Sequence, residues 1–220
     1  AVYGFLLVLS FFPIMRHDKK IEKPVIHGQN QLKIMSLLKN PTVWVLFIGA
    51  SCFSGAYVGL ITWFPSYLRV VSSETAKLSG IILSVYFIGY ILSRGLASLI
   101  LTEKNTKFLI ILTSFMGGIL FLISFAIAQP WAFFTFLVIA GFFSGASLPM
   151  IISAACITYP NNTGGVTTIL YIGISLLAMI TPYAMGYIGD TSGLQSAMPI
   201  VGYLMLLAAA ASLFIKKRSY

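Results

Sequence analysis

The sequence predicts an all-α integral membrane protein with six transmembrane helices, and three observations support this. Only 9% of the 220 residues are charged, while 58% are hydrophobic; a soluble domain carries about 25% charged residues. From Phe108 to Gly189 the chain contains no Asp, Glu, Lys, Arg or His. Apolar runs long enough to cross a bilayer recur six times with short separators between them.

The chain divides into four segments: two that precede the six-helix unit, the unit itself, and a short tail. The first is apolar but short for a span, so we expect it to be the end of a preceding helix. The second is polar and basic, and its residues Leu32, Met35 and Leu38 predict a short amphipathic surface helix. Asn40-Pro41 ends it, because the residue before proline disfavours helix. The expected segments are 1–15 (end of a helix), 16–41 (central loop), 42–215 (six-helix unit) and 216–220 (tail).

The six spans follow one another through short connections, so we expect neighbouring helices to be antiparallel. The predicted spans are 42–68, 77–101, 107–128, 131–158, 164–188 and 195–215. No Asp or Glu falls inside these bounds, so this unit is expected to supply no carboxylate that could carry a proton across.

The basic residues indicate the orientation. Eleven Lys and Arg fall on the side of residues 16–41 and of the C-terminus, whereas Arg69 and Lys77 fall on the other side. Because positive residues concentrate in cytoplasmic loops, residues 16–41 and the C-terminus are expected in the cytoplasm, with the helices in the cell membrane.

Other function classes fit the sequence poorly. The net charge of +9 lies between apolar runs rather than on one face of a soluble module, so nucleic acid is not an expected partner. Cys52 and Cys156 lie inside apolar stretches with no nearby His, which favours packing over a metal site or a disulfide. No set of residues at membrane depth suggests hydrolysis, so we expect neither an enzyme nor a cofactor.

Polar side chains divide the spans into two groups of three. The first two spans of each group carry Ser, Thr and Tyr, while the third and sixth are nearly all apolar and are expected to face lipid. Phe53-Ser54-Gly55-Ala56 in the first span recurs as Phe143-Ser144-Gly145-Ala146 in the fourth. Because each group has an odd number of spans, two such groups form inverted repeats of the kind found in secondary transporters.

The polar spans supply the candidates for a substrate pathway. Arg94 is the one charge within the predicted spans, and it has two readings: it extends to the interface or braces two helices, or it acts on substrate or gating. Pro149 and Pro182 each remove a backbone hydrogen bond, which fits either a gating hinge or a static kink. The pathway candidates are Ser51, Ser54, Tyr57, Thr62, Tyr90, Arg94, Ser144, Ser147, Thr168, Tyr171 and Ser175.

Several strings resemble the major facilitator superfamily. Leu37-Leu38-Lys39-Asn40-Pro41 resembles the end of its central loop, and Ser93-Arg94-Gly95 resembles the Gly-Arg segment of its eighth helix. The segments 55–60 and 63–68 are similar to the seventh helix of fucose-permease-like members, although many of these have Glu at the position of Tyr57. The resemblance implies the C-terminal six-helix half, helices seven to twelve, of a twelve-helix transporter.

The expected function is therefore transport of a small organic solute by alternating access. A cavity with Tyr, Ser and Thr but no carboxylate suits a neutral, sugar-like substrate. A coupling proton would then titrate in the N-terminal six-helix half, outside this chain. The alternatives are a drug or metabolite exporter of the same superfamily, or a self-contained six-span channel or scaffold.

Overall fold

The computed structural model describes residues 35–100 and 105–215. The predictions for 1–15, for most of 16–41 and for the tail 216–220 lie outside these residues. Of the predicted surface helix, residues 35–38 are helical; Leu37 is buried, while Met35 and Leu38 are exposed.

Six long apolar helices, each long enough to cross a membrane, make up the described part of the chain, which contains no strand. This confirms the predicted all-α, six-helix class. The helices are α1 (Pro41–Val71), α2 (Ser73–Ile100), α3 (Thr106–Ile127), α4 (Pro130–Thr158), α5 (Thr163–Ser192) and α6 (Leu194–Leu213). Within α4, Phe133–Leu137 form a π-helical turn, and a second interruption falls at Ala146.

The helix ends follow local chemistry. The Asn40 side chain accepts a hydrogen bond from the Thr42 amide at 3.0 Å, and Pro41 occupies the first turn, where no amide donor is needed. At the far end of α5, Gly193 has φ +84°, a left-handed conformation that favours glycine. These features fix where α1 begins and where α5 ends.

Three helices run three or four residues beyond their predicted spans, and α1 is one of them, since it ends at Val71. α5 continues through Asp190 to Ser192, and α2 begins at Ser73, so it includes Glu74. Glu74 and Asp190 therefore lie on helix ends outside the predicted spans 77–101 and 164–188, and the spans themselves contain no Asp or Glu. The extension of α5 to Ser192 was not predicted because Gly189-Asp190 has the composition of a loop.

The helices pack in a pattern that repeats. α1 packs along α5, α2 packs along α4, and α3 packs along α6. Exchanging the first three helices for the last three converts the α1–α5 pair into the α4–α2 pair and leaves the α3–α6 pair in place. This is the packing expected of two three-helix repeats.

The repeated Phe-Ser-Gly-Ala string occupies equivalent contacts in the two repeats. A Cβ atom added to Gly55 of α1 would meet Thr181 and Leu177 of α5, and one added to Gly145 of α4 would meet the backbone of Tyr90 in α2. Small residues allow helix backbones to approach closely in a membrane, where packing rather than the hydrophobic effect holds helices together. Both copies therefore lie where two helices approach each other closely.

The third and sixth helices bury one side against each other. Ser114 and Ser124 of α3 are buried, whereas Phe115 of α3 and Tyr203 and Leu207 of α6 are exposed on the outer sides. These outer faces are apolar, as a lipid-facing surface requires. α2 and α5 are the least buried of the six helices.

Replacing Gly145 by alanine is expected to destabilise the protein. The new methyl group would meet the Tyr90 carbonyl oxygen, with the Tyr90 Cα atom at 2.9 Å, so α2 and α4 would have to separate. Overpacking of this kind costs about 1–3 kcal/mol, measurable as a lower unfolding temperature in detergent. Gly80→Ala in α2 is the matched control, because a Cβ there meets nothing within 4 Å. Equal unfolding temperatures for the two variants would contradict this packing.

Candidate functional site

An arginine and three tyrosines form a cluster where α1, α2 and α4 meet. One terminal nitrogen of Arg94 donates to the Tyr90 hydroxyl at 2.7 Å, and Arg94 Nε donates to the Gly145 carbonyl at 3.1 Å. The Tyr90 ring stacks on Tyr57 of α1, with centroids 5.2 Å apart and an interplanar angle of 22°. The Tyr86 ring also contacts Tyr90, with centroids 6.0 Å apart and the rings tilted by 35°. The cluster therefore joins three helices.

The helical repeat of α2 builds this cluster. Tyr86, Tyr90 and Arg94 are four residues apart and so share one face of the helix. That face is directed at α4, where Gly141 and Gly145 leave room for the backbone of α2. The same spacing that is visible in the sequence thus delivers the arginine to the helix crossing.

Pro149 explains why the Gly145 carbonyl is open to Arg94. In a continuous helix this carbonyl would accept from the amide four residues later, which is residue 149, and proline has no amide hydrogen. The next carbonyl, that of Ala146, does have its helical partner, the Met150 amide at 3.1 Å. Arg94 therefore supplies the donor that Pro149 lacks.

The space inside the cluster is too small for a solute. A cavity of about 10 Å³ lies between the helices, lined by Phe53, Ala56, Tyr57, Tyr86 and Ser144 with Phe121 and Met205. This is at most the room for one water molecule. The cluster is accessible at Arg94, whose side chain is exposed, whereas Tyr86 and Tyr90 are buried.

A second group of candidates lies on the open face of α5. Thr168, Tyr171 and Ser175 are spaced three and four residues apart and line a groove of about 620 Å³ together with Thr167, Ile172, Leu176 and Met179. The Tyr171 side chain is 54% exposed, and the Thr168 hydroxyl donates to the Gly164 carbonyl. The structure thus places these three predicted residues on one accessible surface.

The remaining candidates are directed into helix contacts or back onto their own helix. Ser51 donates to Phe47 O at 2.6 Å, Ser147 donates to Thr113 of α3 at 2.9 Å, and Thr62 donates to Val58 O at 2.7 Å. Ser51, Ser54, Ser144 and Ser147 are all buried. The structure does not bring these residues together with the open face of α5.

Trp63 has a partner that sequence reasoning did not anticipate. Its position near a helix end is typical of the aromatic residues at a membrane surface, but its indole nitrogen donates to the Pro182 carbonyl of α5 at 2.8 Å. Gly186, one turn further along α5, leaves room for the indole ring. Gly186 is visible in the sequence, but nothing there pairs it with Trp63, which lies more than a hundred residues away.

Comparison with known proteins gives the family. The family model described as Major Facilitator Superfamily matches residues 72–220. The chain belongs to the Major Facilitator Superfamily.

Two curated relatives agree with this assignment. The chain is 26% identical over 196 residues to an uncharacterized MFS-type transporter of Yersinia pestis, an alignment that covers 86% of this chain and 50% of the relative. It is 24% identical over 204 residues to a protein TsgA homolog of Citrobacter koseri, covering 89% of this chain and 49% of that protein. The chain thus spans about half the length of the curated relatives it matches.

Family membership and the six helices together indicate a multi-pass membrane protein of a transporter family. Among the residues that the structure describes, no group of three or more His, Cys, Asp or Glu could hold a metal ion.

Replacing Trp63 by phenylalanine is expected to weaken the α1–α5 contact. The change keeps an aromatic ring but removes the indole N–H that reaches Pro182, and a typical hydrogen bond contributes about 0.5–1.5 kcal/mol. We expect a lower unfolding temperature in detergent. Trp44→Phe is the control, because the Trp44 indole also donates to a carbonyl, that of Leu38, but at an exposed site. A larger loss for Trp44→Phe would contradict the structural role of Trp63.

Proposed function

We propose that the chain is the C-terminal half of a secondary transporter that moves a small, neutral, hydroxyl-rich solute such as a sugar. One observation supports this most: Tyr57, Tyr90 and Arg94 form a single cluster. Tyrosine hydroxyls and guanidinium N–H groups exchange hydrogen bonds with sugar hydroxyls, and Arg94 is the exposed member of the cluster. Near this cluster, the described residues supply no carboxylate that would favour a cationic substrate.

The low burial of α2 and α5 supports the presence of a second six-helix half that covers them. The open face of α5 carries Thr168, Tyr171 and Ser175, and exposed polar groups are costly against lipid tails. We propose that α2 and α5 face an N-terminal six-helix half, with the pathway between the halves. The length of the relatives, about twice the aligned region, agrees with this.

Alternating access would then be a rocking of the two halves, with Pro149 and Pro182 as the places where α4 and α5 can bend. We place Lys39 and Lys107, and with them residues 16–41 and the C-terminus, on the cytoplasmic side of the cell membrane, because basic residues concentrate there. A coupling proton, where one is used, would titrate in the N-terminal half; Asp190 lies at the outer end of α5.

A drug or metabolite exporter of the same superfamily is the second candidate. Ile172, Leu176 and Met179 make much of the α5 groove apolar, which favours a less polar substrate. A self-contained channel or scaffold has less support, because nothing in the described residues encloses the polar face of α5.

The test is a ligand screen on the full-length carrier followed by uptake into proteoliposomes. Monosaccharides and sugar alcohols form one panel, and lipophilic cations and planar aromatic drugs form the other. We expect a member of the first panel to raise the unfolding temperature and to be taken up. If only compounds of the second panel stabilise the carrier and are transported, the proposed sugar-like substrate is wrong and the protein is a drug or metabolite exporter.

Removing single hydroxyls tests the pathway residues with whichever solute the uptake assay identifies. Tyr57→Phe and Tyr171→Phe are each expected to weaken apparent affinity about 3- to 10-fold, the range for one hydrogen bond. Tyr203→Phe is the matched control, because Tyr203 is exposed on α6 away from these residues. Unchanged affinity in both variants would move the binding site away from Tyr57 and Tyr171.

A further inference from the structure

The Arg94 side chain makes two specific contacts to two different helices. Its Nε donates to Gly145 O of α4 at 3.1 Å, and its terminal nitrogen donates to Tyr90 Oη of its own helix at 2.7 Å. Its guanidinium carbon also lies 4.6 Å from the centroid of the Tyr90 ring. The first of these contacts reaches the neighbouring helix α4, whereas a side chain that only extended to the membrane surface would need no acceptor there.

The acceptor on α4 is the carbonyl that Pro149 leaves without a helical donor. A carbonyl that is left without a donor away from bulk water is costly, and Arg94, whose side chain is exposed, donates to this one. Directly after Gly145 the helix is interrupted at Ala146, before it resumes at Ser147. The contact from Arg94 thus falls on the edge of the break in α4.

A guanidinium suits this position better than an ammonium. It holds several N–H donors in a planar fork and is always charged, so it can bind a carbonyl and a hydroxyl at the same time in fixed directions. The helix backbones must be close for this geometry, and they are, because Gly145 has only a hydrogen where another residue would place a Cβ against Tyr90.

We propose that Arg94 is a positioning residue that links the break in α4 to the tyrosine pair. While Arg94 holds Gly145 O, the bend at Ala146–Pro149 is fixed relative to α2. The same side chain fixes Tyr90, and Tyr90 stacks on Tyr57 of α1. Any change in the bend of α4 therefore has to break the contact with Arg94 or move the tyrosine pair. This role does not depend on the identity of the substrate.

A double-mutant cycle in the full-length carrier tests this link without a ligand. Arg94→Gln removes the charged donor, and Pro149→Ala returns an amide hydrogen four residues after Gly145. The readouts are the unfolding temperature in detergent and hydrogen–deuterium exchange of residues 145–153. We expect Arg94→Gln to speed exchange in this segment by about tenfold, the effect of losing one hydrogen bond to a charged group. In the Pro149→Ala background the same change should speed exchange by less than threefold.

Arg69→Gln is the matched control, because Arg69 is exposed as Arg94 is and carries an equal charge, but it lies at the end of α1. It should leave exchange of residues 145–153 unchanged. Two results would overturn the proposal. One is an Arg94→Gln effect of the same size with and without Pro149, which would make Arg94 a general structural charge. The other is an equal effect from Arg69→Gln.

Discussion

The close approach of α2 and α4 at Gly145 is the contact on which the rest of the site depends. In a bilayer, helices gain nothing from hiding apolar side chains from lipid, so backbone proximity and hydrogen bonds decide how they pack. A side chain at Gly145 would meet the backbone of Tyr90. Without that approach, Arg94 could not reach the Gly145 carbonyl, and the Tyr90–Tyr57 pair would no longer be linked to α4 through Arg94.

The two repeats share the sequence Phe-Ser-Gly-Ala but differ in the residues that follow it. Gly55 of α1 and Gly145 of α4 occupy equivalent helix crossings, but four residues later the first repeat has Gly59 and the second has Pro149. Glycine keeps its amide hydrogen, so α1 continues unbroken through this region. Proline does not, so α4 is interrupted at Ala146, and the Gly145 carbonyl accepts from Arg94 of α2 instead. Because of this one difference, a helix carbonyl accepts a hydrogen bond from a neighbouring helix at the α2–α4 crossing.

Hydrophobicity alone predicts the fold class well here, because the bilayer sets the length of each helix and the lack of charge marks it. The sequence also places Tyr90 and Arg94 on one helix face. The sequence did not predict the acceptor of Arg94. It also did not predict the contacts of Ser147 with Thr113 and of Trp63 with Pro182, because all three contacts join residues far apart in the chain. Local composition misled at Asp190, where a helix held by packing continues through residues typical of loops.

The central claim is that the polar face of α5 borders a water-filled pathway and the outer face of α6 borders lipid. Thiol accessibility measures this directly. Ser175→Cys and Leu207→Cys would be made in turn in a full-length carrier without other reactive thiols, then treated with a membrane-impermeant reagent in intact membranes. Both positions are exposed on the isolated bundle. We expect Ser175→Cys to react and Leu207→Cys to resist; resistance at both positions, or reaction only at residue 207, would contradict the account.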